Sequence, residues 1–188
     1  MRKALALLLA LALLLALPAC GEASGAAACP TAKAVYSSMQ RSFKADRVAP
    51  LDGLDKDQCA AFDAAVWESV LQVDEYVHTY ENYYREYSLV RSKKDNINSL
   101  TRYADSHYPA SFTISGNFGD VGGAEYLRAG NAFFDATQRY SVNIVAYANF
   151  GGKDYRDMLQ HSEEEVDQCR RDVVEARLTY RASVGLDP

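Results

Sequence analysis

Between Asp55 and Tyr87 the chain reads DKDQCAAFDAAVWESVLQVDEYVHTYENYYREY. Phe62, Val66, Val70, Val73, Val77, Tyr80, Tyr84 and Tyr87 recur there at steps that settle into alternating four and three. One turn of helix takes about 3.6 residues, so these steps put all eight side chains on one stripe, the seam of a coiled-coil-like helix. A helix with one apolar stripe must cover it with a neighbour, and this stretch therefore predicts a helical bundle.

Outward from the seam the same pattern recurs. Upstream, Val35, Met39 and Phe43 stand at spacing four in a helix expected over about Thr31 to Ala45. Arg47 to Leu54, with Pro50 and Gly53, breaks it before Asp55 opens the long helix. Downstream the seam turns polar at Lys93-Lys94-Asp95-Asn96, where a kink or a restart capped by Asp95 is expected. The helix then continues through Ile97, Leu100 and Tyr103 until Pro109 ends it. Ser111-Phe112-Thr113-Ile114-Ser115 alternates as a short strand would, and Gly116, Gly119, Gly122 and Gly123 break regular structure. Two more helices follow. One, about Ala124 to Asn149, turns Tyr126, Phe133, Tyr140, Ile144 and Tyr147 inward. Gly151-Gly152 separates it from the last, about Asp154 to Val184, whose seam is Tyr155, Leu159, Ser162, Val166, Cys169, Val173, Ala176 and Tyr180. The expected fold is all-α: an antiparallel bundle of about four helices over 30–188, with one long irregular loop at about 105–123.

The first residues read differently. Arg2 and Lys3 precede an Ala/Leu run from Ala4 to Leu17, shorter than the roughly 20 apolar residues of a transmembrane helix and right for the core of a signal peptide. Leu17-Pro18-Ala19-Cys20 resembles the lipobox of bacterial lipoproteins, with an aliphatic residue at −3, a small one at −1, and cysteine; Pro18 departs from the usual residue at −2. The resemblance implies that residues 1–19 are removed and that the Cys20 thiol becomes a thioether to diacylglycerol. The alternative is a secretory signal cut after Ala26-Ala27-Ala28. Two or three acyl chains hold a protein on a bilayer stably. No aspartate stands at +2, which by the same resemblance implies the outer membrane, with the protein facing the periplasm. Residues 20–29 suit a lipidated cysteine and flexible tether.

Loss of Arg2 and Lys3 with the signal takes the formal charge from −5 to −7. An acidic exported domain lacks the basic footprint that nucleic acid requires. Outside the cytoplasm cysteines pair, and Cys29, Cys59 and Cys169 allow one disulfide with a thiol left over. Cys59–Cys169 is the pairing slightly preferred, because both fall in phase with apolar stripes; a buried thiol is the alternative.

Four features could carry function. Glu75-Tyr76-Val77-His78 is an E-x-x-H on a helix, a spacing that di-iron bundles use twice. Here it occurs once, off the seam, with His161 as the other histidine to consider, and a solvated face is the favoured reading over a metal site at Glu75, His78 and His161. Tyr76, Tyr80, Tyr83, Tyr84 and Tyr87 crowd one helix as bundle core or as a groove for a small ligand, with Tyr83 facing outward. The irregular loop carries Phe112, Ile114 and Phe118, candidates for packing on the bundle or reaching a partner. Arg85, Arg91, Lys93, Lys94 and Arg102 form a basic patch that could meet lipid headgroups or the acidic last helix.

No G-x-S-x-G, H-E-x-x-H or Cys/His nucleophile pair occurs, and the chain has three histidines. The sequence thus leads to an expectation of a membrane-anchored, non-enzymatic binding or scaffold module without a cofactor. It would meet the bilayer through acylated Cys20 and an envelope protein through Phe112, Phe118 or Tyr83.

Overall fold

A computed structural model describes residues 30–89, 102, 112 and 114–188; for 82–89 it describes the helix and not the side chains. Four α-helices and one 3-10 turn are present among them: α1 (Ala32–Gln40), the turn (Ala45–Arg47), α2 (Lys56–Leu89), α3 (Ala124–Phe150) and α4 (Gly152–Ser183). The expected all-α bundle is what is found. No described residue is in a strand; Phe112, Ile114 and Ser115, the described part of the alternating stretch, are irregular. Most of the chain expected to carry the kink and second half of the long helix, 90–111, lies outside the described residues.

Local chemistry sets the helix ends. The Thr31 hydroxyl accepts the Ala34 N–H at 3.2 Å and caps α1. This helix is shorter than expected, because Ser42 turns back on it, donating both its N–H and its hydroxyl to the Met39 carbonyl at 3.1 Å. Asp55 caps α2 by accepting from the N–H groups of Asp57 and Gln58 at 2.9 and 3.2 Å. Between α3 and α4 only Gly151 intervenes. Its φ of 62° and the 88° of Gly152 are left-handed values that a side chain would strain, so the chain reverses direction on this glycine pair.

Side-chain contacts give the helix directions. Phe62 of α2 meets Tyr126 of α3 and Tyr180 of α4, while Asp74 of α2 and Phe133 of α3 both meet Arg170 of α4. α2 and α3 therefore run in parallel and α4 antiparallel to both. α1 runs alongside α4, from Ala32 at Asp74 to Gln40 at Pro188. The bundle thus has a hairpin end at Gly151 and a terminal end that gathers Gly123, Ser183 and Pro188. A parallel α2/α3 pair puts the end of α2 and the start of α3 at opposite ends of the bundle. Residues 114–123, which lead into α3, lie at the terminal end, where Phe118 contacts Phe62 edge-on at 5.6 Å.

The core follows the seams. Phe62, Val66, Val70, Val73, Val77 and Tyr80 of α2 are buried with Tyr126, Phe133, Tyr140 and Ile144 of α3 and Val166, Val173 and Tyr180 of α4. Burying each such side chain contributes about 1.5–3 kcal/mol. A smaller cluster joins Val35 of α1 to Val174 and Leu178 of α4, with Tyr36, Met39, Phe43 and Trp67 against it. Among the described residues, no helix is long and apolar enough to cross a membrane.

Candidate functional site

Charged groups inside the bundle are the feature that the apolar pattern did not announce. Asp63, Asp74 and Glu81 of α2 and Arg170 of α4 are all buried. At the terminal end, Asp63 accepts from Arg177 Nε and Nη2 at 2.8 and 3.0 Å and from Arg181 Nη1 at 2.5 Å. The Arg177 guanidinium lies over the rings of Trp67, at 4.2 Å, and Tyr36, at 4.7 Å, which ties α1 and α2 to α4. Halfway up, Asp74 Oδ1 accepts from Arg170 Nε at 2.8 Å and Oδ2 from the Ala32 N–H at 2.7 Å. One carboxylate therefore joins three helices.

Arg170 also pairs with Asp167 and sits 5.7 Å from the centre of the Phe133 ring. Burial works against its charge, but Asp74, Asp167 and Glu81 more than offset this and raise its pKa above the usual arginine value. His78 lies between two of these acids, with Nδ1 3.5 Å from Glu81 and Nε2 3.9 Å from Asp74. Acids and bases here face one another across α2 and α4, an arrangement that fixes helix register.

The E-x-x-H does not assemble a site. Glu75 is exposed, His78 turns to Asp74 and Glu81, and His161 is exposed on α4. Among the described residues no group of three or more His, Cys, Asp or Glu is set to hold a metal ion. Tyr76 and Tyr80 belong to the core, their rings 5.6 Å apart, so this part of the tyrosine face is no groove; the side chains of Tyr83, Tyr84 and Tyr87 lie outside the description.

Two partner candidates are used internally. Phe112 packs against α3 at Gly130, where a Cβ would come within 2.6 Å of its ring, and Phe118 packs on Phe62. Both are half-buried against the core.

Cys59 and Cys169 are free thiols, which corrects the preferred pairing. The Cys59 carbonyl accepts from the Tyr180 hydroxyl, placing Cys59 at the terminal end of α4. Cys169 is eleven residues earlier on that helix, about 16 Å away along its axis, beyond the reach of a disulfide. Burial, then the nearby acids Asp172 and Glu165, push the Cys169 thiol pKa upward. Cys20 and Cys29 lie outside the described residues.

Two surface features remain. A solvent-open cleft of about 360 Å³ runs between the first half of α3 and the last half of α4, its rim formed by Glu125, Arg128, Asp172 and Glu175 above Tyr126 and Tyr180. At the hairpin end, large apolar side chains face solvent: Phe150 is 71% exposed, Val142 63% and Met158 51%. Phe150 stacks on Tyr155 across the turn, ring centres 5.3 Å apart, and Asn143 donates to the Met158 carbonyl at 3.4 Å, so the patch spans both helices. Charge-based motifs could not have located it, and its sequence signal is an apolar residue out of phase with the seam at each position.

Comparison with protein families, curated proteins and solved structures finds no match to this chain.

Proposed function

We propose that this chain is a bacterial envelope lipoprotein that acts by binding, as an accessory or scaffold module for another envelope component. The single observation carrying this reading is Leu17-Pro18-Ala19-Cys20 at the end of the Ala/Leu run behind Arg2 and Lys3. Cys20 holds diacylglycerol through a thioether, residues 21–29 link it to the bundle, and the protein faces the periplasm from the outer membrane. The bundle supports a binding role in that its buried acids and arginines serve each other while apolar side chains are left at the surface.

Mass spectrometry of protein extracted gently from its own membrane tests the reading. The expected mass is that of residues 20–188 plus the lipid, with a protein partner at fixed stoichiometry. Cys20→Ala is expected to leave the chain unprocessed or free of the membrane. A cleaved Cys20→Ala protein that still sediments with membranes overturns the anchor, and a bound metal or small molecule in place of a protein partner overturns the scaffold role.

A further inference from the structure

We infer that the exposed apolar patch at the hairpin end, Val142, Phe150, Tyr155 and Met158, is a second membrane contact that inserts into the surface of the bilayer holding the Cys20 anchor. The inference rests on the lipoprotein reading for its choice of occupant and on the geometry of the bundle for its place.

Three of the four large hydrophobic residues described as exposed, Val142, Phe150 and Met158, lie at this one end. Among the described residues nothing covers them, and the stacked pair Phe150 and Tyr155 offers aromatic rings of the kind that settle at a membrane–water interface. The polar groups around them do not oppose it. Lys153 pairs with Asp157 at 2.5 Å, and Asp154 and Arg156 carry opposite charges, so residues 152–158 have no net formal charge. The opposite end is less suited: Leu51 is the one large apolar side chain described as exposed there, and Asp187 and the Arg181 side chain surround the chain terminus.

Chain length and direction select lipid as the occupant. α1 begins at mid-height, where Ala32 meets Asp74, and runs from there toward the terminal end. From the level of Arg170 to that of Tyr155 is fifteen residues of α4, or about 22 Å. The twelve residue steps from Cys20 to Ala32 span at most about 40 Å. An anchor at Cys20 and a tip at Phe150 can therefore touch one bilayer at once. With Cys20 fixed, the patch stays within a tether's length of the surface, and even a weak interfacial affinity is realised at high effective concentration.

The test uses the lipidated chain carrying Phe150→Trp, a change at an exposed position, reconstituted into phosphatidylcholine vesicles with or without brominated acyl chains. The wild type, whose one tryptophan is Trp67 inside the bundle, is the reference. The expected result is a blue-shifted emission for the variant and at least a twofold loss of its added intensity in brominated vesicles, with Trp67 of the wild type unaffected. Emission at the position of a hydrated indole, without bromine quenching, overturns the inference. So does a blue shift seen only in the native envelope and accompanied by cross-linking of position 150 to a protein, since the patch then serves that partner. The mass of the same sample reports the anchor separately. If Cys20 carries no lipid the lipoprotein reading falls, and the same protein mixed with the same vesicles still decides the tip: quenching sustains it and its absence overturns it.

Discussion

Asp74→Ala should be among the most destabilising single changes in the chain. It removes the carboxylate that receives Arg170 Nε at 2.8 Å and the Ala32 N–H at 2.7 Å, leaving a guanidinium only 1% exposed without its main counter-charge. Removing one partner of a buried pair costs about 3–5 kcal/mol. Asp167 keeps one bond to Arg170, which argues for the lower part of that range, about 3 kcal/mol. In a chain of this size that lowers the melting temperature by about 10 °C. The double variant Asp74→Ala with Arg170→Met removes both charges and keeps an apolar side chain of similar length beside Phe133. It should recover half or more of the loss, the remainder being the unbonded Ala32 N–H, which at the low end of the range for an unmade buried hydrogen bond costs about 1 kcal/mol. Denaturant unfolding of the purified variants, followed by far-ultraviolet circular dichroism, measures all three proteins on one scale. An Asp74→Ala protein within about 1 kcal/mol of the parent, or a double variant as unstable as the single, would refute the view that an unpaired buried charge sets the cost.

Gly130→Ala sets two effects against each other. Alanine favours helix by about 1 kcal/mol, whereas crowding the Phe112 ring costs about 1–3 kcal/mol, so a net loss near 1 kcal/mol is expected in urea unfolding and a net gain would show that Phe112 is not docked there. Arg177→Lys keeps the charge but loses the two-pronged bond to Asp63 and the flat stacking on Trp67. About 2 kcal/mol should be lost, with a change in Trp67 emission, and unchanged emission would contradict the stacked geometry. Since its pKa is raised, less Cys169 is thiolate at a given pH. Its labelling in the native protein should lag that in the denatured protein near pH 8 and the gap should close as pH rises. A Cys59–Cys169 peptide in a non-reducing digest would refute the free thiols.

The helices were legible because their seams are long. Phe62 through Tyr80 and Val166 through Tyr180 keep one period over many turns, and a period that persists leaves little choice of structure. The parallel course of α2 and α3 was not legible, since periodicity gives a helix its face and not its neighbour. The buried charges were missed for a related reason: an acid on a helix reads as solvated unless its partner is known, and Arg170 is 96 residues from Asp74. A signal was nevertheless there. Asp63, Val66, Val70, Asp74, Val77 and Glu81 step by three and four, as do Val166, Arg170, Val173, Arg177 and Arg181. Acids interleaved with valines on one helix and arginines on another are complementary stripes of an antiparallel pair. The hairpin-end patch was illegible because Val142, Phe150 and Met158 look, one at a time, like ordinary surface hydrophobes, and only the turn at Gly151 brings them together.

The Asp74 carboxylate also settles how the bundle bears a mechanical load. Tension on the chain ahead of Thr31 enters the domain at Ala32, whose N–H is held by Asp74. α1 runs away from that point toward Pro188, so a pull directed toward the hairpin end acts along the helix axis. It loads the Val35 contacts with Val174 and Leu178 and the Tyr36 contacts with Trp67 and Arg177 in shear, all together instead of one after another as in peeling. Arg170 passes the strain at Asp74 on to α4, so a pull on Ala32 is shared by three helices.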